Sequence, residues 1–476
     1  MFFDINRFHI CVFITWQFAN FAVGQYIFDI FFTYTPKFKC GDGPETRDCS
    51  VYHSCPPENL TINAAFSSVA IEYKWFCGPF EYYIYFFTFI QSCGVLIGTV
   101  LFGLLSDRYG RRPIGIIVIT IAMFSSMCAS NAPNQYFLFV ARFFSGMSIA
   151  GVLVVICAWT NESLLPHQRM VIRGLFHWGW TRFFVTVVCY QAQEWRKAAA
   201  YSGIALLPAL LMVLSVMPES AMWLHSKGYT RSMIESEKTM AKIAGVAYKP
   251  SERKHIHSKT LSEALKTKGL FKTLSVLWVM WFLVAVCGFA NDLNSTSLAG
   301  DLYVNQALFG LLLVVSKLVL LFVDSTFENF KRRTLHQGSQ AVMIACFAVL
   351  AVFCYNDYHG NGTRVVYLIG TIFIEYTWDA VYLCTIELME TSSRASATGS
   401  CSMFARVGSL LAPLLKFLNT WWPLTVYLTI IMLGILSLSI SILFLKESKN
   451  VNLDDVHVDD TERSTPENNP MLNLSR

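Results

Sequence analysis

Apolar runs long enough to cross a bilayer alternate with short charged loops along almost the whole chain. A spanning helix needs roughly 20 mostly apolar residues. About twelve runs meet that length, near 9 to 32, 81 to 104, 113 to 131, 135 to 158, 171 to 191, 198 to 217, 271 to 290, 302 to 323, 338 to 355, 364 to 386, 397 to 418 and 423 to 445. Polar stretches at 33 to 80, 218 to 270 and 446 to 476 break the rhythm. Within the second, residues 232 to 244 set Met233, Ile234, Met240 and Ile243 among charges, which predicts one or two short amphipathic helices on the inner membrane face. The third is acidic and polar, the composition of a disordered tail. The first run is too long and aromatic for a cleaved signal peptide, and no small-residue cleavage site follows it, so it predicts a first span.

Composition narrows the class. Of 476 residues, 54% are hydrophobic and only 14% charged, which would leave a soluble globule with apolar surface it could not hide. Cations set the orientation. Arg108, Arg111 and Arg112 follow span two, Arg169 and Arg173 span four, Lys331, Arg332 and Arg333 span eight, and Arg394 span ten. The positive-inside rule makes those loops and both termini cytoplasmic. The net charge of +5 is mostly this bias and implies no nucleic-acid partner. Sequons at Asn59, Asn294 and Asn361 fall in loops predicted outside, Asn59 being the best acceptor, whereas Asn161 and Asn473 fall inside and stay bare. Cys40, Cys49, Cys55 and Cys77 share the long external loop. Two disulfides are expected there, with three connectivities open. No cysteine or histidine spacing suggests a metal, and no cofactor motif or catalytic arrangement is present, so an enzyme is not expected.

The chain also repeats itself. Asp107-Arg108-Tyr109-Gly110-Arg111-Arg112 has a worn counterpart at 324 to 333 that ends Lys331-Arg332-Arg333. Glu162 to Arg169 and Glu387 to Arg394 each place an acid seven residues before a base. The offsets, 221 residues from Arg112 to Arg333 and 225 from Glu162 to Glu387, nearly coincide. Parallel repeats of this size are what rocking transporters use. They predict a six-helix half over 1–217 with its external loop at 33–80, a linker over 218–270, a second half over 271–445 and a tail over 446–476.

The segment Gly103-Leu104-Leu105-Ser106-Asp107-Arg108-Tyr109-Gly110-Arg111-Arg112 resembles the loop between the second and third helices of the major facilitator superfamily. Three further stretches resemble the organic ion transporters of the solute carrier family within it: Tyr73-Lys74-Trp75-Phe76-Cys77, Ala141-Arg142-Phe143-Phe144-Ser145-Gly146, and Pro218-Glu219-Ser220-Ala221-Met222-Trp223-Leu224. The likeness covers spans one to twelve. It implies an all-α membrane protein of twelve transmembrane helices in two six-helix halves. Ser316-Lys317-Leu318-Val319 and Ala405-Arg406-Val407-Gly408-Ser409 resemble the organic anion branch, in which both cations belong to the substrate cavity. The cation branch carries an aspartate near the second position, and carnitine-type members lack the lysine.

Burial physics points to the same residues. A cation near the bilayer centre costs about 2.5 to 3.5 kcal/mol on insertion scales, so it faces a cavity or a partner. Arg406 lies some ten residues, roughly 15 Å, from the inner end of its helix, too far to reach the interface easily. Its alternative to substrate is a structural pair with Glu375 or Asp379, which are four apart and share a face. Lys317 is nearer the inner end, so its stem either serves the cavity or snorkels to the interface. Arg182 in span five is a further candidate at a position where the family usually has a neutral residue. Asp29, near the outer interface, is expected to be solvated. Trp281, Tyr376 and Tyr382 either stack on flat organic ions or simply pack helices.

Alternating access needs a gate that breaks and reforms. With the cavity open outside, Asp107, Arg108, Arg111 and Arg112 are expected to lock against Glu162, Arg169, Glu387 and Arg394 across the cytoplasmic face. The loop at 324 to 333 lacks the family's glycine and Glu387-Leu-Met-Glu-Thr lacks its proline, which sets the second-half gate apart. The resulting expectation is a plasma-membrane carrier of small organic anions, with exchange for a dicarboxylate as some members of that branch perform. Its rivals are a carrier of organic cations or carnitine-like zwitterions, and a non-transporting sensor or trafficking protein on the same scaffold. The partners expected are a small organic ion and membrane lipid.

Overall fold

A computed structural model describes residues 6–164, 175–248, 265–266, 268–297, 300–327, 331–358, 360–389 and 394–445. Arg169, the Arg394 side chain, most of the linker and the tail after Leu445 lie outside it. Ten described helices are long and apolar enough to cross a membrane, and they follow the apolar runs. The other two runs form Trp178–Ala192, 15 residues in span five, and Asn361–Leu388 in span ten, which carries Arg364, Glu375, Asp379 and Glu387. The protein is therefore helical along its spans. Among the described residues the one sheet is an antiparallel pair, β1 (Lys37–Cys40) with β2 (Leu60–Asn63), in the loop after span one.

Several helices depart from a straight rod, each for a local reason. Span one divides at Gly24 into Arg7–Val23 and Gln25–Phe32. Span four runs Gln135–Gly151, loosens into a π-helical turn at Val152–Ile156 and resumes as Cys157–Glu162. Helix Trp178–Ala192 starts deep in the bundle. Its N-cap is His177, whose Nδ1 accepts from the Gly179 N–H at 3.0 Å, and the Phe176 carbonyl accepts from the Trp16 indole midway along span one.

Spans two and four press backbone on backbone. A Cβ at Gly146 would lie 2.0 Å from the Gln91 carbonyl oxygen, and one at Gly94 would lie 2.1 Å from that of Phe143. Gly94 and Gly98 form the small-xxx-small pattern that lets membrane helices approach closely. Gly146→Ala is expected to cost about 1–3 kcal/mol by overpacking. A lowered melting temperature of the purified protein in detergent would register it, and an unchanged one would show that the two helices can separate.

The loop after span one is a small unit tied by Cys40–Cys55 and Cys49–Cys77, one of the three open connectivities. Asp48 caps helix Cys49–Ser54. It accepts from the Ser50 N–H at 2.9 Å and the Ser50 hydroxyl at 2.7 Å, which holds its carboxyl below the usual range. Asn59 is exposed on this unit, as a glycan acceptor must be, whereas Asn294 is 5% exposed. The expectation for Asn294 is thus corrected: its helix end turns into the bundle. Closing loops of 15 and 28 residues stabilises a fold by typically 2–4 kcal/mol per bridge. Cys49→Ser with Cys77→Ser is expected to lower the melting temperature and to speed proteolysis between residues 41 and 76, and intact fragments at the wild-type rate would count against it.

The two halves meet at the face bearing this disulfide unit. Arg47 donates to the Thr296 carbonyl at 2.7 Å, and the Tyr303 hydroxyl donates to the Ala65 carbonyl at 2.9 Å. Tyr190 packs on Tyr303 with centroids 5.3 Å apart, and Tyr85 on Phe417 at 5.2 Å. Deeper, spans five and eight touch where a Cβ on Gly310 would meet the Phe183 nitrogen at 2.8 Å. The molecule is closed on the disulfide face.

Candidate substrate site and the charged-loop networks

Arg406 sits on helix Arg394–Trp421, twelve residues past its start, about 18 Å along the axis. It is half-buried beside the Tyr26 hydroxyl of span one. Among the described residues no carboxylate lies within ion-pairing distance of it, and its Nε makes no hydrogen bond. A guanidinium presents a planar fork of donors whose geometry suits a carboxylate.

Lys317 is differently placed. Its ammonium pairs with Asp379 and lies 3.6 Å from Glu375. Only 10% of its side chain is exposed, so it does not snorkel. The two acids stand one turn apart on span ten and face Lys317 of span eight together, so the alternative that pairs them with Arg406 is not what the described residues show. Attraction in a low-dielectric interior holds a buried lysine to the nearest acids. Arg182 is likewise engaged. It meets Asp292 at 2.7 Å, donates to Gln306 Oε1 at 2.8 and 3.2 Å and lies over the Phe309 ring at 4.8 Å.

The aromatic candidates mostly pack. Trp281 is 6% exposed, donates to the Thr385 hydroxyl at 2.8 Å and meets Trp378 edge-on. Tyr382 lies against it at 5.9 Å. The Tyr376 hydroxyl donates to the Ser316 carbonyl at 2.9 Å, beside Lys317. These contacts make a wall between spans seven, eight and ten, with Tyr376 nearest the charges.

Other buried groups escape a reading by sequence. Asp29, expected to be solvated, is 1% exposed and bound to Arg142, also 1% exposed. Gln25 Oε1 accepts from Arg142 at 2.7 Å, and the guanidinium lies over Phe87 at 4.7 Å. An arginine in the middle of an apolar run was the signal for this pair. Lys416, a second cation on span eleven, lies within electrostatic range of Asp29 and Arg47. His177 lies within range of Lys317 and Asp379, its Nε2 buried without a partner. No spacing rule predicts it, because the helix start that it caps is set by packing against Trp16.

The opposite face carries two matching networks. In the first half Arg111 spans Asp107 at 2.6 Å and Glu162 at 3.1 Å. In the second Arg332 spans Asp324 at 2.6 Å and Glu387 at 3.1 Å. Arg112 donates to the Leu214 carbonyl at the end of span six, and Arg333 to that of Ile442 at the end of span twelve, both at 2.7 Å. These three contacts thus recur in the second half. Glu219, from the Pro218-Glu219-Ser220 stretch, accepts from the Arg111 and Arg112 backbone N–H groups at 2.8 and 3.1 Å, and Glu162 accepts from the Ser220 hydroxyl at 2.5 Å. Arg108 lies over the Tyr109 ring. Among the described residues these pairs join helices of one half, not the two halves across the face. Arg332 and Glu219, both missed as candidates, are central to them.

Two six-helix halves, paired loop networks and charges buried at mid-span define a major facilitator transporter. Residues 57–459 match the family described as Sugar (and other) transporter, and the chain belongs to it. An uncharacterized protein of Caenorhabditis elegans is 33% identical over 95% of this chain and 94% of that one. Solute carrier family 22 member 15-like of Xenopus laevis is 27% identical over 75% of this chain and 74% of its own length. Solute carrier family 22 member 7 of Mus musculus is 27% identical over 78% and 70%. Among solved structures, the proton:xylose symporter XylE bound to 6-bromo-6-deoxy-D-glucose superposes with a TM-score of 0.64 at 15% identity, covering 94% of this chain and 98% of that one. XylE from E. coli in an inward open conformation gives 0.63 at 16%, covering 94% and 99%. That likeness speaks for the fold. The protein is a multi-pass membrane transporter of the organic ion type with a small-molecule substrate, and it is not an enzyme.

Proposed function

We propose that this transporter moves small organic anions across the plasma membrane by alternating access, with both termini cytoplasmic and an internal dicarboxylate as one exchange partner. Arg406 carries the reading: a guanidinium at mid-helix with no acid beside it among the described residues. A substrate carboxylate supplies the counter-charge that the described residues do not. Lys317 and Arg182, being paired, shape the cavity and its field.

One observation favours a second reading. Glu375 and Asp379 share Lys317, which leaves an excess acid on the same side of the site. A zwitterion with its carboxylate on Arg406 and its ammonium towards that pair would satisfy both charges. Uptake of an aromatic monocarboxylate, a tetraalkylammonium ion and a betaine by cells expressing the chain separates these readings. Monocarboxylate uptake that Arg406→Ala removes supports the first. Betaine uptake lost in both Arg406→Ala and Glu375→Gln selects the second, and tetraalkylammonium uptake indifferent to Arg406 would sink both.

A further inference from the structure

The helix Thr230–Ala244 rests on the first half beside the charged-loop networks. Met233 and Ser236 are buried, the Ser236 hydroxyl donates to the Glu219 carbonyl at 2.6 Å, and Met240, Ile243 and Ala244 pack on the core of spans one to six. At 100° per residue these positions form one stripe. Arg231, Lys238 and Lys242 fall on the opposite side of the helix, all exposed, with Lys227 exposed just before it. Glu235 is the acid within that stripe, 3.4 Å from Arg231.

The helix does not explain this stripe by its own stability. Lys238 and Lys242 are like charges four apart, which destabilises a helix. Arg231 sits in the first turn, where the macrodipole disfavours a cation. The stripe also points away from the helices on which Thr230–Ala244 rests. An acidic polypeptide is the partner that such a surface fits.

The chain carries one. Between Asp454 and Glu462 the sequence Asp-Asp-Val-His-Val-Asp-Asp-Thr-Glu holds acids and no Lys or Arg. It follows span twelve, whose end Arg333 binds through the Ile442 carbonyl on the same face as Thr230–Ala244. The residues from Leu445 to Asp454 reach about 30 Å when extended, about three helix diameters. We propose that the acidic segment 454–462, carried by the second half, docks on the Arg231–Lys238–Lys242 stripe carried by the first, tying the halves together on the charged-loop face.

A photocrosslinker tests this in the full chain. Glu235→p-benzoylphenylalanine places the probe within the stripe, and the purified protein in vesicles of neutral phospholipid is irradiated and mapped by mass spectrometry. Adducts on peptides from 454–467 are expected at 50 mM salt. They should fall about tenfold at 500 mM, where screening is stronger, and equally in Arg231→Gln/Lys238→Gln/Lys242→Gln. Adducts confined to lipid or to other segments, tail adducts indifferent to salt and to the triple substitution, or no adducts at all would overturn the proposal. The substituted side chains are exposed, so folding is not at issue, and the outcome does not depend on which substrate is carried.

Discussion

Arg142→Leu is expected to cost about 3–5 kcal/mol of stability, because it strands the Asp29 carboxylate in the core without its partner. Both side chains are 1% exposed, and neither can reach water by a change of rotamer. Asp29→Leu should be comparably severe, since it leaves the guanidinium over Phe87 with only Gln25 to receive it. The double replacement is the informative one. An apolar pair of similar volume often matches or exceeds a buried ion pair in stability, so Asp29→Leu/Arg142→Leu should recover most of the loss. Yield of monodisperse protein and melting temperature in detergent measure all three. A double variant as poor as the sum of the singles would show that the charges are not acting mainly on each other.

Arg406→Ala should instead spare the fold and remove transport. No described acid is left unpaired by it, so expression and melting temperature should stay near wild type. A charge-assisted hydrogen-bonding contact contributes about 1.5–3 kcal/mol, which predicts a roughly 10- to 150-fold loss of uptake efficiency for a carboxylate substrate at 1.4 kcal/mol per decade. Arg406→Lys should retain part of the activity, as a point charge without the planar fork does. The same experiment on Lys317 reads differently. Lys317→Ala leaves Glu375 and Asp379 one turn apart without their cation, so reduced uptake there would reflect lost stability as readily as a lost contact. Lys317→Ala with Asp379→Ala isolates the contact. Full uptake by Arg406→Ala at normal surface abundance would refute the anion assignment.

The Arg111 and Arg332 networks explain how much of the mechanism a linear reading could recover. The acid-to-base offset of the loops is visible in the sequence, and the structure places Arg111 with Asp107 and Glu162, and Arg332 with Asp324 and Glu387, at equivalent points. The second network keeps the pairing of the first although its loop sequence lacks the glycine, because the ion pairs are made by side chains at helix ends. Among the described residues the ion pairs that Arg111 and Arg332 make on the charged-loop face, in a molecule closed on the disulfide face, join helices of the same half. Arg169 and the Arg394 side chain of the expected gate lie outside the described residues.

The spans, the repeat, the superfamily and the organic ion branch were legible from the chain alone, since run length, loop charge and short motifs are local properties. Which buried charges remain available was not. Asp29 finds Arg142 at a separation of 113 residues, Asp292 finds Arg182 at 110 and Asp379 finds Lys317 at 62. Pairing inside a bundle depends on which helix faces are brought together and at what depth, and a one-dimensional pattern does not carry that. Arg406 differs from Lys317 for this reason: both are cations in apolar helices, but packing sets two acids against one and none of the described acids against the other.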